Sequence, residues 1–232
     1  MNPQYLMTDP KGFRLSQNDI NAIQHLYGPS PKNPFVKGPS ICDPGQDYDA
    51  ATTVRGDVFF FTDRYVLRRY HNSSEVQMDF IQTYWNFLPN NINAAYENTD
   101  SDIVRVFQGI KYWEITEGLN LTSMGSIYHF GFPSHVKFID AAVFVENNEK
   151  TYFFVRKKYW RYNEKTQAMD EGFPRSIAKD FPGVGPRINA AMYFKEKLYL
   201  LDNNAQHEIS INESGQIAEK IYKSPKSHWV GC

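Results

Sequence analysis

Six histidines, two cysteines and a recurring acid-or-amide position are the residues of this 232-residue chain whose types could do chemistry. A hydrolytic zinc centre needs two His one helical turn apart, a third ligand, and a Glu beside the first His to activate the bound water. His25, His71, His129, His135, His207 and His228 supply no such pair followed by a Glu. His129 and His135 flank Gly131-Phe132-Pro133, an arrangement that reads as a structural turn rather than a metal site. No serine sits in a nucleophile-elbow pattern. On its own residues the chain is expected to be proteolytically inert.

The acid-or-amide position points to architecture first. Asp49-Ala50-Ala51, Asn93-Ala94-Ala95, Asp140-Ala141-Ala142 and Asn189-Ala190-Ala191 recur at steps of 44, 47 and 49 residues. Near-constant spacing means one supersecondary unit used four times. Each unit continues with a strand pattern, a turn, and an aromatic or basic-aromatic strand, as in Val58-Phe59-Phe60-Phe61 with Arg68-Arg69-Tyr70 and Tyr152-Phe153-Phe154 with Tyr159-Trp160-Arg161-Tyr162. The fourth unit is degenerate, with His207 where the others carry a large apolar residue. A repeat of this length built from short strands predicts an all-β fold, a four-bladed β-propeller. The alanines fit first strands that line a narrow central channel and so must carry small side chains.

Net charge is −1, so no global field points to nucleic acid or a membrane surface. No run approaches a membrane-spanning length, and the N-terminus has neither the basic nor the apolar region of a signal peptide. Cys42 and Cys232 bracket the repeats. Either they stay as two thiols, or in an oxidising compartment they close a long loop, a constraint of about 4–5 kcal/mol in the chain-entropy model. Glycosylation sequons at Asn72, Asn120 and Asn212 agree with secretion. Secretion without a visible leader implies that the true start lies upstream of Met1.

Residues 1–28 stand outside the repeat. Ser16-Gln17-Asn18-Asp19 suits a helix start, Ile20, Ile23, Leu26 and Tyr27 share one face, and Gly28-Pro29 ends the run. Residues 29–41 carry Pro29, Pro31, Pro34 and Pro39 and read as a semi-rigid linker. Leu88-Pro89, Phe132-Pro133, Phe173-Pro174 and Phe181-Pro182 read as interblade loops anchored by an apolar residue. Basic runs at Arg68-Arg69, Arg156-Lys157-Lys158 and Lys220-Lys223-Lys226 are either solvated edges or exosites for matrix proteins or anionic glycans.

Taken together, Ser16 to Gly28, the proline linker, Cys42-Asp43-Pro44, the four alanine repeats, Lys158-Tyr159-Trp160-Arg161-Tyr162 and the terminal Cys232 resemble a secreted matrix metalloproteinase, nearest the macrophage metalloelastase, collagenase and stromelysin group. The resemblance implies that 1–28 is the end of a catalytic domain, 29–41 a hinge, and 42–232 a hemopexin-like propeller closed by one disulfide. It implies a calcium ion in the channel, held by main-chain carbonyls of Asp49, Asn93, Asp140 and Asn189, with Asn189 replacing the family's usual Asp. It also implies an extracellular location and, as partners, matrix proteins such as collagen or elastin and the tissue inhibitors of metalloproteinases. Met1-Asn2-Pro3 matches the family's Met-turn, so the zinc-binding HExxH helix would lie upstream of residue 1. The leading expectation is therefore a non-catalytic binding module. Its rival is a fragment of an active zinc- and calcium-dependent endopeptidase, and a haem carrier is a third, weaker reading.

Overall fold

The structure, a computed structural model, describes residues 47–73, 75–116, 120–217, 221–226 and 229. The expected helix at 16–28, the linker at 29–41, Cys42 and Cys232 lie outside the described residues.

The described residues form four antiparallel sheets, in each of which consecutive strands pair. Blade I comprises β1 (Ala50–Val54), β2 (Asp57–Thr62), β3 (Tyr65–Arg69) and β4 (Val76–Phe80). Blade II comprises β5 (Ala94–Asn98), β6 (Ile103–Gln108), β7 (Lys111–Thr116) and β8 (Asn120–Ser126). Blade III has β9 (Ala141–Val145), β10 (Lys150–Val155) and β11 (Lys158–Asn163), with its outer position shared by two short strands, β12 (Ala168–Met169) and β13 (Arg175–Ser176), both paired to β11. Blade IV comprises β14 (Ala190–Phe194), β15 (Lys197–Leu201), β16 (Gln206–Ile209) and β17 (Tyr222–Ser224). The innermost strands touch in a closed cycle, β1 to β5 to β9 to β14 and back to β1. This is the expected four-bladed propeller.

The near-continuous apolar runs follow from burial on both faces of a blade. Along β2, Phe59 and Phe61 enter the core between blades I and II, while Val58 and Phe60 enter the core between blades IV and I. Period-two alternation thus feeds two cores, so neither face can be polar. The alanines divide the same way. Ala50 shares a core with Ala95, Ala94 with Ala142, Ala141 with Ala191, and Ala190 with Ala51. The demand for small side chains therefore comes largely from neighbouring inner strands converging at the thin edge of each wedge. Reading the alanines only as channel lining was too narrow. The loop anchors are buried as expected at Leu88, Phe132 and Phe181, while Phe173 is half-buried against the core of blades III and IV.

A further repeat ends the fourth strands. Ile81, Ile127 and Ile177 are fully buried, and their N–H groups donate to the carbonyls of Arg64, Ile110 and Lys157 in the turns between second and third strands. Ile81 and Ile177 open the single-turn helices α1 (Ile81–Tyr84) and α2 (Ile177–Asp180).

His207 takes the position of Leu67, Trp113 and Trp160 in the other blades, opposite Leu200 of β15. It is buried, and its Nε2 lies 3.0 Å from Asp202 Oδ2. Asp202 also accepts from the N–H groups of Asn204 and Ala205, each at 2.8 Å. Burial alone would raise the Asp202 pKa, but the His207 contact and these two N–H groups together hold it below the usual carboxylate range. A depressed folded-state pKa contributes stability above the unfolded-state value of about 3.9 and loses it as pH falls through the folded value. Urea midpoints measured downward from neutral pH should therefore drop below about pH 4, and Asp202→Asn should flatten that acid limb.

Candidate functional site

Each acid-or-amide residue stands directly before an inner strand, so the closed ring carries all four to one end of the channel. There Asp49, Asn93, Asp140 and Asn189 line a cavity of about 170 Å³ together with Asp47, Tyr48 and Phe138. Further along the axis a void of about 10 Å³ remains between side chains that include Thr52, Glu97 and Met192.

The four residues use their polar groups in parallel. Their main-chain N–H groups donate to the carbonyls of Phe61, Phe107, Phe154 and Leu201 at 2.8, 2.8, 2.9 and 2.8 Å. Asp49 Oδ2 accepts from Asp63 N at 2.8 Å, Asn93 Oδ1 from Gly109 N at 2.8 Å, and Asp140 Oδ2 from Arg156 N at 2.5 Å. Asp63, Gly109 and Arg156 have φ of 52°, 58° and 55°, the left-handed region. A side-chain acceptor offsets the cost of that conformation in the two non-glycine residues. Asn189 differs, its amide nitrogen donating to Asn203 Oδ1. The residue types at this position are therefore explained first by turn anchoring.

The mouth is electrically uneven. Asp49 is pushed above the normal carboxylate range, chiefly by burial and further by the Asp63 and Asp47 carboxylates, against the pull of the Asp63 N–H. Lys226 pairs with Asp47 at this side of the mouth, and Arg64 lies 3.9 Å from Asp63. Across the mouth, Asp140 pairs with Arg187 at 3.1 Å. Tyr48 is raised to about 12 by burial, so it is neutral at physiological pH. Among the described residues no group of three or more His, Cys, Asp or Glu is arranged to hold a metal.

Other residues singled out by type are dispersed. Asn72, Asn120 and Asn212 are exposed on blades I, II and IV, although the Asn212 side-chain oxygen already accepts from Gln216 N at 2.9 Å. His71 Nδ1 lies 2.7 Å from Asp57, and His129 and His135 are exposed. Of the basic runs, Arg68 pairs with buried Asp57, Arg69 lies over the Trp229 ring, and Lys226 is buried against Asp47, while Lys223 is exposed. Lys220 lies outside the described residues.

Against known proteins, a family model described as Hemopexin matches residues 139–186. Among solved structures, a hemopexin fold protein from cow pea superposes with a TM-score of 0.66 at 17% identity, covering 79% of this chain and 95% of its own. A plant lectin with two metal binding sites from Cicer arietinum gives 0.68 at 15% identity, covering 80% and 96%. At such identities the likeness concerns fold alone, and it defines a hemopexin-type propeller. Matrix metalloproteinase-18 of Xenopus laevis is 44% identical, interstitial collagenase of Sus scrofa 43% and stromelysin-1 of Equus caballus 38%, each across all of this chain. The chain spans about half the length of these relatives, 50%, 49% and 51%. Along its whole length the chain is similar to the hemopexin-bearing part of the matrix metalloproteinases.

Proposed function

We propose that this propeller is a binding and targeting module that docks extracellular matrix proteins or proteinase inhibitors. The observation that carries the reading is whole-chain similarity to the matrix metalloproteinases, combined with a closed ring whose cores are filled and whose chemistry-bearing residues anchor turns. Such a scaffold suits rigid presentation of surfaces rather than bond cleavage. Residues 1–28 would be the end of a catalytic domain, 29–41 a hinge, and 42–232 the propeller, with Cys42 and Cys232 joined in a disulfide. An extracellular setting is supported by the exposed sequons and by the relatives; no helix among the described residues is long and apolar enough to cross a membrane. Binding of the purified full chain to immobilised collagen, elastin and a tissue inhibitor of metalloproteinases tests the proposal. Retention on at least one is expected; failure on all three overturns it.

Calcium belongs to the same reading. The mouth suits a hard cation in charge, through the carboxylate of Asp49, and in construction. The side chain and N–H of each ring residue are already bonded within its own blade, so ligation through the carbonyls of Asp49, Asn93, Asp140 and Asn189 asks for no rearrangement of them. A bound ion would tie four blades at the axis and supply structural, not catalytic, chemistry. Calcium at about a hundred times its dissociation constant should stabilise the fold by about 2.7 kcal/mol, read as a rise in unfolding midpoint that a chelator reverses. An unchanged midpoint would exclude the site.

A second reading follows from the span of about half of each relative. The chain would then be part of a secreted zinc- and calcium-dependent endopeptidase, with zinc confined to a catalytic domain outside this sequence. An antibody against the propeller, applied to native deglycosylated protein, separates the two by mass.

A further inference from the structure

One basic run lies wholly on the surface. Arg156 and Lys157 form the turn between β10 and β11 and Lys158 opens β11; with Lys137 and Arg187 from the flanking interblade connections they line a cavity of about 710 Å³. No acidic residue lines it, although the chain as a whole has a net charge of −1. Arg187 is held by Asp140, while Lys137, Arg156, Lys157 and Lys158 form no ion pair among the described residues. The wall between the cations is apolar, with Trp160 and Phe138. A neighbouring cavity of about 380 Å³, bordered by Pro133 and Phe173, shares His135, Lys158 and Trp160 with the first, so the two form one continuous trough.

We propose that this blade III trough binds a sulfated glycosaminoglycan chain. Four unpaired cations from two segments of chain exceed what one or two carboxylates require, and they match a ligand carrying several fixed negative charges. The apolar wall suits the carbon faces of sugar rings laid along it. A peptide is favoured less, because extended peptides are held by an open strand edge. Here β11, which contributes Lys158 and Trp160 to the trough, is flanked by β10 on one side and by β12 and β13 on the other, so it offers no open edge. Binding of this kind releases counterions, so it weakens steeply with salt.

The test uses the full chain and a fluorescently labelled heparin oligosaccharide, followed by anisotropy. Lys137→Glu with Lys157→Glu should weaken binding roughly tenfold or more, because each reversal replaces an exposed attraction with a repulsion. Lys111→Glu with Lys223→Glu, the same change in net charge on exposed residues of blades II and IV, should change it by less than about twofold. Chemical desulfation should remove binding, and raising salt from about 50 to about 200 mM should lower affinity at least about tenfold. The milder Lys137→Gln with Lys157→Gln pair checks that any loss is not misfolding, with unfolding midpoints recorded for every variant. Equal losses in both charge-reversed pairs, or undiminished binding of the desulfated oligosaccharide, would overturn the proposal. So would polyglutamate binding as tightly as heparin, which would assign the trough to acidic peptides.

Discussion

Trp229→Ala is expected to destabilise the propeller by about 3–5 kcal/mol, the range for truncating a large buried aromatic. The residue is 3% exposed and packs against both ends of the repeat array. Its ring lies 6.2 Å from Phe60 of blade I and 5.5 and 4.8 Å from Phe194 and Tyr199 of blade IV. The guanidinium of Arg69 covers it at 5.4 Å. The core between blades IV and I therefore depends on a residue that follows the last strand. Nearby, buried Lys226 pairs with Asp47, which precedes the first strand. The other three cores are built from neighbours in sequence, whereas this one must bring together the two ends of the array. Removing the indole leaves a cavity where only non-local contacts hold the ring shut. For a domain of this size the loss corresponds to a fall in melting temperature of roughly 10 °C. Calorimetry on the full chain, with and without reductant, separates the tryptophan from any covalent closure. Met124→Ala, at a side chain 53% exposed, should cost less than about 0.5 kcal/mol and serves as the control. A Trp229→Ala effect as small as that control would mean that the ring is closed by something other than this core.

The contrast between the array and its closure explains how much of the molecule was legible in the sequence. The four Asp/Asn-Ala-Ala steps are readable because four inner strands meet the same steric demand at the same place. The break at His207 is readable because an ionisable side chain falls on a repeating apolar position, and Asp202 is the partner that makes its burial tolerable. Ile81, Ile127 and Ile177 recur at steps of 46 and 50 residues, but they lie 32, 34 and 37 residues after Asp49, Asn93 and Asp140, so alignment on the alanines leaves them out of register. Trp229 carried no signal. A single tryptophan beyond the last strand has no period, and its partners lie at the far end of the chain. Lys226 was grouped with an exposed basic run, whereas closure of the ring buries it 179 residues from Asp47 in sequence. At the channel mouth the convergence of four residues was legible from the repeat. The use of Asp49, Asn93 and Asp140 as acceptors for left-handed turn residues was not, because the turns lie 14 to 16 residues downstream and show no shared sequence mark.

The other large effect lies between blades II and III, where a charged network is built into the wedge. Arg105 Nη1 donates to Tyr96 Oη at 2.6 Å and to Glu164 Oε2 at 2.8 Å, while its Nε donates to Glu114 Oε1 at 2.8 Å. Tyr96 and Thr151 each donate to Glu164 Oε1, at 2.8 and 2.6 Å. The side chains of Arg105 and Glu164 are 13% and 11% exposed. Burial acts to lower the Arg105 pKa, but Tyr96, Glu164 and Glu114 more than reverse it, so the guanidinium stays charged throughout the accessible pH range. Tyr96, fully buried, is raised well above its ordinary value, chiefly by burial, and acts as a neutral hydroxyl. Arg105→Met would keep much of the side-chain volume while leaving two carboxylates facing one another without their cation. Breaking a buried pair from one side costs about 3–5 kcal/mol, far more than the intact pair contributes over an apolar replacement. Adding Glu164→Gln to Arg105→Met should recover part of the loss, with a coupling of at least about 1 kcal/mol in a double-mutant cycle. Additive effects would mean that solvent, rather than the network, neutralises Glu164. Because Glu164 and Thr151 belong to blade III and Arg105 to blade II, the coupling measures how firmly the two blades are fixed to each other. A propeller that presents a partner-binding surface depends on that fixity, since a surface composed from two blades keeps its shape only while they do not slide.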